Sequence, residues 1–243
     1  MPDLPPIAVI AGGLGTRLYP TTLAIPKSLI EVNGEPFIDH QLRLFARAGI
    51  RRAVFCVGHF GEQIVEHVAN RGSFGVEVEF SFDGKKLLGT GGSVKKALPL
   101  LGDAFLVTYG DSYLDIDYAA AVGAFRASNR PALMTVFRNQ DRWDGSNVEF
   151  DGREIRAYDK KNRTAAMRHI DYGLLVLRAE VFAMMGSAEA FDLEAPLSRL
   201  VAEGRMAGLE VDRRFYEVGS TAGIADLEAY LAERRGEQEA GRR

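Results

Sequence analysis

The chain has 243 residues, 47% of them hydrophobic and 26% charged, a composition that fits a water-soluble globular protein and excludes a disordered or fibrous chain. Its formal charge of −3 excludes the basic footprint of a nucleic-acid binder, so no nucleic-acid partner is expected. The single cysteine excludes an internal disulfide and a zinc cluster, no apolar run reaches the ~20 residues of a membrane span, and Met1-Pro2-Asp3-Leu4-Pro5-Pro6 lacks the charged and apolar regions of a leader, which together predict a cytoplasmic protein without a membrane partner.

In chain order, Ile7 to Ala11 reads as a buried strand ended by glycines. Pro36 to Ala48 reads as a helix. Pro36 suits its first position and Gly49 its cap, and Phe37, Ile38, Leu42, Phe45 and Ala46 recur on one face. Ala53 to Val57, which contains Cys56, reads as the second strand and Glu62 to Ala69 as the second helix. Val76 to Phe82 is a third strand, followed by a helix near Ser93 to Leu98 and a strand from Ala104 to Thr108. This alternation predicts an α/β fold: a Rossmann-like, mostly parallel sheet with helices on both faces.

The second half is less regular. Ala119 to Ser128 reads as a helix, Ala132 to Phe137 as a strand, and Asp151-Gly152 as a two-residue hairpin turn between Asn147–Phe150 and Glu154–Asp159. Tyr172 to Leu177 reads as a strand, with helical segments around Val181 and from Pro196 to Ala202. A last helix is predicted from about Ala222 to Glu233, capped by Ser220 or Thr221. No repeat or linker divides the chain, so 1–236 is expected as one domain and 237–243 as a polar tail.

Three stretches carry chemistry. Ala11-Gly12-Gly13-Leu14-Gly15-Thr16-Arg17-Leu18 follows the first strand, where bare backbone N–H groups can meet phosphate oxygens. It lacks the Gly-Lys-Ser/Thr ending of a Walker loop, and Leu18 stands where a dinucleotide fingerprint needs its third glycine. Second, Arg17 and the Lys27 of Pro26-Lys27-Ser28-Leu29 are cations that one loop could bring to a triphosphate. Third, Asp111 follows a strand at the carboxyl edge, where open α/β sheets bind ligands. His40, His59, His67 and His169 show no metal-ligand spacing.

Gly12-Gly13-Leu14-Gly15-Thr16-Arg17-Leu18, Pro26-Lys27-Ser28-Leu29 and Val32-Asn33-Gly34-Glu35-Pro36 resemble the opening signature of the sugar-phosphate nucleotidyltransferase family, whose members have the nucleotide-diphospho-sugar transferase type of fold. Leu88-Gly89-Thr90-Gly91-Gly92-Ser93, Tyr109-Gly110-Asp111, Tyr172-Gly173 and Glu217-Val218-Gly219-Ser220-Thr221 follow in the family's order. The resemblance implies an enzyme that joins a nucleoside triphosphate to a sugar 1-phosphate with Mg²⁺ and releases pyrophosphate. It implies catalytic roles for Arg17, Lys27 and Asp111, and metal binding by Asp111 and Glu217, the latter standing where the family usually has aspartate. Ala11, Gly12, Gly13, Gly15, Thr16, Gly89, Thr90 and Gly91 are expected to bind the nucleotide, with the 89–92 segment as a loop before its helix. Asn147, Lys160, Tyr172 and Gly173 are expected at the sugar phosphate. The segment Leu88 to Leu98 is similar to the heptose 1-phosphate guanylyltransferases, which implies GTP and a manno-configured heptose 1-phosphate as the substrate pair. UTP, CTP or dTTP with another sugar phosphate is the alternative, and a nucleotide-binding regulatory module without chemistry is the rival class. A homodimer is compatible with the resemblance.

Overall fold

A computed structural model describes residues 3–240. Seven strands form the central sheet: β1 (Ile7–Ile10), β2 (Arg52–Val57), β3 (Glu77–Phe82), β4 (Ala104–Tyr109), β5 (Ala132–Phe137), β6 (Ile170–Arg178) and β7 (Met206–Val211). Their order across the sheet is β7-β5-β6-β4-β1-β2-β3. Every neighbouring pair is parallel except the two that β6 makes with β4 and β5.

Strand alternation sorts the core into two layers. Ile7, Val9, Phe55 and Leu106 pack on one face with helices α1 (Phe37–Ala48), α2 (Gly61–Arg71) and α4 (Tyr118–Ser128). Ala8, Val54, Cys56, Phe105 and Val107 pack on the other with α3 (Gly89–Leu101) and α5 (Glu194–Ala202). The expected two-faced, mostly parallel sheet is therefore present. Burial pushes the Cys56 thiol up to about 12, so it is a core residue and not a nucleophile. Gly49 closes α1 in the left-handed conformation, as expected, while Pro36 sits one residue before the helix.

Four expectations are corrected. The hairpin pairs Phe150 with Ile155, so residues 151–154 form a four-residue connection; the Asp151 carboxylate accepts from the Arg153 and Glu154 backbone N–H groups and stabilises the longer turn. β7 has no counterpart in the sequence reading, because Met206-Ala207-Gly208 lacks the β-branched run that marks a strand; it forms by parallel pairing with β5. Helix α3 begins four residues early, at Gly89. The last helix, α6 (Thr221–Ala240), passes through Gly236 into the expected tail, with the Ser220 hydroxyl accepting from the Gly223 N–H at its start. Met1, Pro2 and residues 241–243 lie outside the described residues. Among the described residues no helix is long and apolar enough to cross a membrane.

Candidate functional site

The carboxyl ends of β1 and β4 open onto the site. Beyond β1 the chain leaves the sheet with the Ala11 N–H donating to the Cys56 carbonyl at 2.8 Å. Gly15 turns it with φ +66°, a conformation that side chains disfavour, and its carbonyl accepts from the Thr22 hydroxyl at 2.8 Å. The loop then returns in short single turns, the last spanning Lys27–Leu29. There the buried Ser28 hydroxyl donates to the Gly110 carbonyl at 3.1 Å. That bond carries Lys27 to the end of β4, where its Nζ pairs with Asp111 Oδ2 at 2.7 Å. Lys27 and Asp111, far apart in sequence, thus share one wall of a cavity of about 140 Å³ with Ala11, Gly13, Thr90 and Tyr109.

Two devices hold Asp111. Gln41, fully buried on α1, donates from Nε2 to the Tyr109 and Ser112 carbonyls, each at 2.9 Å, and so clamps both sides of the Gly110-Asp111 turn. Sequence reasoning missed Gln41; its one signal was an amide on an otherwise apolar helix face. The second device is a short ribbon in which Ser112–Tyr113 pairs antiparallel with Tyr216–Glu217, with the Val218 N–H donating to the Asp111 carbonyl at 2.9 Å. This pairing brings Glu217 beside Asp111, and the Arg17 guanidinium lies against neighbouring Gly219.

Electrostatics report the crowding. The Glu217 carboxyl is pushed up to about 7, first by burial of its carboxyl end and then by the negative charge of Asp111, with Arg17 and Lys27 opposing. The residue as a whole is nonetheless exposed, so water still reaches it. Two carboxylates that repel each other at neutral pH, one already drawing a lysine ammonium to 2.7 Å, make a donor set suited to a divalent cation. Among the described residues no group of three His, Cys, Asp or Glu side chains gathers for a metal. A cation on this pair would take its remaining oxygens from phosphate and water, as Mg²⁺ does.

The remaining expected residues divide. Thr90 lines the cavity, its hydroxyl accepting from the Leu193 N–H at 2.8 Å. Gly91 turns instead towards Phe191, to whose carbonyl its N–H donates at 2.9 Å. Gly89 also packs against that segment, and a Cβ at Gly92 would overlap the Glu189 carbonyl, so these glycines admit a neighbouring chain segment. Asn147 is buried, and its Oδ1 accepts from the Asp171 N–H at 2.9 Å, which ties the hairpin to β6. Lys160 Nζ stands 4.0 Å from Asp171 Oδ2. Tyr172 is corrected: its side chain lies in the core against Phe215, with ring centroids 5.9 Å apart, on the face away from Asp171. Gly173 stays near the site, its N–H donating to Asp171 Oδ1 at 3.1 Å. Asp171 is the residue missed there. Its carboxylate also accepts from the Tyr158 hydroxyl at 3.1 Å, and burial together with this charge pushes the Tyr109 phenol up.

Residues 7–203 match the model of the nucleotidyl transferase family. The chain is 30% identical to an N-acetylmuramate α-1-phosphate uridylyltransferase of Caulobacter vibrioides, over 96% of this chain and all of that protein. It is 25% identical to a D-glycero-α-D-manno-heptose 1-phosphate guanylyltransferase of Campylobacter jejuni, over 87% of this chain and 93% of that one. Among solved structures, HddC of Yersinia pseudotuberculosis complexed with GMP-PN superposes with a TM-score of 0.78 at 20% identity, covering 94% of this chain and all of the other, which is a likeness of fold.

Proposed function

The chain belongs to the nucleotidyl transferase family as a sugar-1-phosphate nucleotidyltransferase, and on that premise we propose that it transfers the nucleotidyl group of GTP to a manno-configured heptose 1-phosphate at the Asp111–Glu217 cluster. The apposition of Lys27, Asp111 and Glu217, the first two lining one cavity and the third paired beside them through the Ser112–Tyr113 ribbon, carries the assignment of the site. The segment Leu88 to Leu98 and the Campylobacter relative support the substrate pair. A second pair, UTP with N-acetylmuramate 1-phosphate, is favoured by the higher identity of the full-length Caulobacter relative.

In the proposed reaction an oxygen of the sugar 1-phosphate attacks the α-phosphorus of the triphosphate. The new P–O bond forms in line with the bond to the β-phosphate, which breaks and releases pyrophosphate. A phosphate monoester has its second pKa near 6 and is already mostly dianionic at neutral pH, so the site needs no general base. Its task is to hold two anions together. Mg²⁺, when bound by Asp111 and Glu217, neutralises charge on the triphosphate. Lys27 and Arg17 meet the triphosphate from the glycine-rich loop, whose backbone from Ala11 to Thr16 cradles it. Lys160 faces the acceptor phosphate, while Asn147 keeps the hairpin docked on β6 behind it. The test is a matrix of four nucleoside triphosphates against a panel of sugar 1-phosphates, scored by pyrophosphate. Release with GTP and the heptose phosphate is expected; release only with UTP and N-acetylmuramate 1-phosphate selects the second pair, and silence throughout refutes both.

A further inference from the structure

Trp143 is the only tryptophan of the chain, and it is 47% exposed on the loop that follows β5. One face of its indole is covered, with the Arg214 guanidinium carbon 3.6 Å from the ring centroid. The same guanidinium lies 4.9 Å over the Tyr216 ring, and Tyr216 stacks on Tyr230 with centroids 4.5 Å apart. Arg214 also pairs with Asp226 on α6. The indole is therefore held by a guanidinium–aromatic column rooted in the C-terminal helix. Tyr216 precedes Glu217, so this column and the catalytic carboxylate share one segment.

Trp143 helps to line a cavity of about 510 Å³, whose rim is polar: Asp141, Asp144, Ser146, Arg163 and Thr164. That size suits a small-molecule ligand. The cavity is tied to the reaction centre through Arg214, whose guanidinium covers both Trp143 and Tyr216, the residue next to Glu217. A single exposed aromatic residue is ordinary, but one fixed by stacking in a polar-rimmed cavity matches a ligand with an apolar face and a polar edge. A pyranose ring has that character, with axial C–H bonds on its faces and hydroxyls around its rim.

We propose that Trp143 is the platform on which the sugar ring of the acceptor stacks, and that Arg214 is a positioning residue that holds the indole in place. This rests on the transferase reading, and its test separates the two. Because Trp143 is the only tryptophan, its fluorescence reports this cavity alone. The probes are α-D-mannose 1-phosphate, D-glycero-D-manno-heptose 1-phosphate and N-acetylmuramate 1-phosphate, with glycerol 3-phosphate as the ringless control and GTP as the donor control. At least one sugar phosphate shifts the emission saturably, and both controls leave it unmoved. In steady-state assays Trp143→Ala raises the sugar-phosphate KM about ten-fold and leaves the triphosphate KM within about two-fold, while Trp143→Phe recovers most of the loss. Emission that ignores all three sugar phosphates, emission that follows glycerol 3-phosphate equally, or an unchanged sugar-phosphate KM in Trp143→Ala overturns the platform. A fluorescence response without pyrophosphate release from any donor overturns the transferase reading and leaves the platform standing.

Discussion

Replacing Glu217 by glutamine removes a charge that the fold holds against its preference. Its carboxyl is raised from an ordinary 4.5 to about 7 by burial and by Asp111. An acid raised in the native state binds its proton more tightly there than in the unfolded chain. Between about pH 4.5 and 7 the native state thus holds more protons, and stability falls as pH rises through that window; below it both states are protonated and the cost vanishes. Fully realised, the shift amounts to about 3 kcal/mol at ~1.4 kcal/mol per unit. Glu217 is exposed as a residue and solvent screens it, so a loss of about 1 kcal/mol is expected. For a chain of this length that is ~2–4 °C of melting temperature. Glu217→Gln should accordingly melt ~2–4 °C above the wild type in metal-free buffer near pH 8, and level with it near pH 4. Added Mg²⁺ should raise the melting temperature of the wild type more than that of the variant. Calorimetry or circular dichroism melts across pH read all three. A gap that does not change with pH, or a variant that melts lower near pH 8, refutes the claim that the two carboxylates are held in mutual repulsion.

Lys27→Ala removes the cation 2.7 Å from Asp111 and should lower kcat by about 10²–10³, measured as steady-state pyrophosphate release; a loss of only a few-fold would remove Lys27 from the machinery. Gly92→Ala would drive a Cβ into the Glu189 carbonyl, which cannot rotate away, and should cost about 2–3 kcal/mol in a denaturant melt. Gly13→Ala is the contrast. Nothing lies within 4 Å of a Cβ there, so the melt should be unchanged while the triphosphate KM rises, as expected where backbone N–H groups meet phosphate.

The elements legible from sequence were those whose neighbours enforce one period. β1 and β2 alternate between two buried layers, and α1 carries both its apolar stripe and its terminal glycine. β7 was hidden because its stability comes from pairing with β5 and little from its own residues. The glycine-rich loop, Lys27 and Asp111 stood out as motifs, yet what joins them did not. The Ser28 and Gln41 bonds and the Ser112–Tyr113/Tyr216–Glu217 ribbon link positions far apart in the chain, and such pairings leave no local pattern. Tyr172 misled for a related reason. The register of β6 against β5 shifts between Asp171 and Leu175, so its Tyr-Gly resembles a site turn while the tyrosine ring enters the core. The charged neighbour Asp171 instead meets the Gly173 N–H and Lys160.

The most direct test of the two-anion clamp is pyrophosphate release by Asp111→Asn at saturating triphosphate, sugar 1-phosphate and Mg²⁺, measured on protein whose melting curve matches the wild type. The clamp predicts a fall in kcat of about a thousand-fold or more with the fold intact. Turnover within a few-fold of the wild type would place the chemistry elsewhere in the molecule.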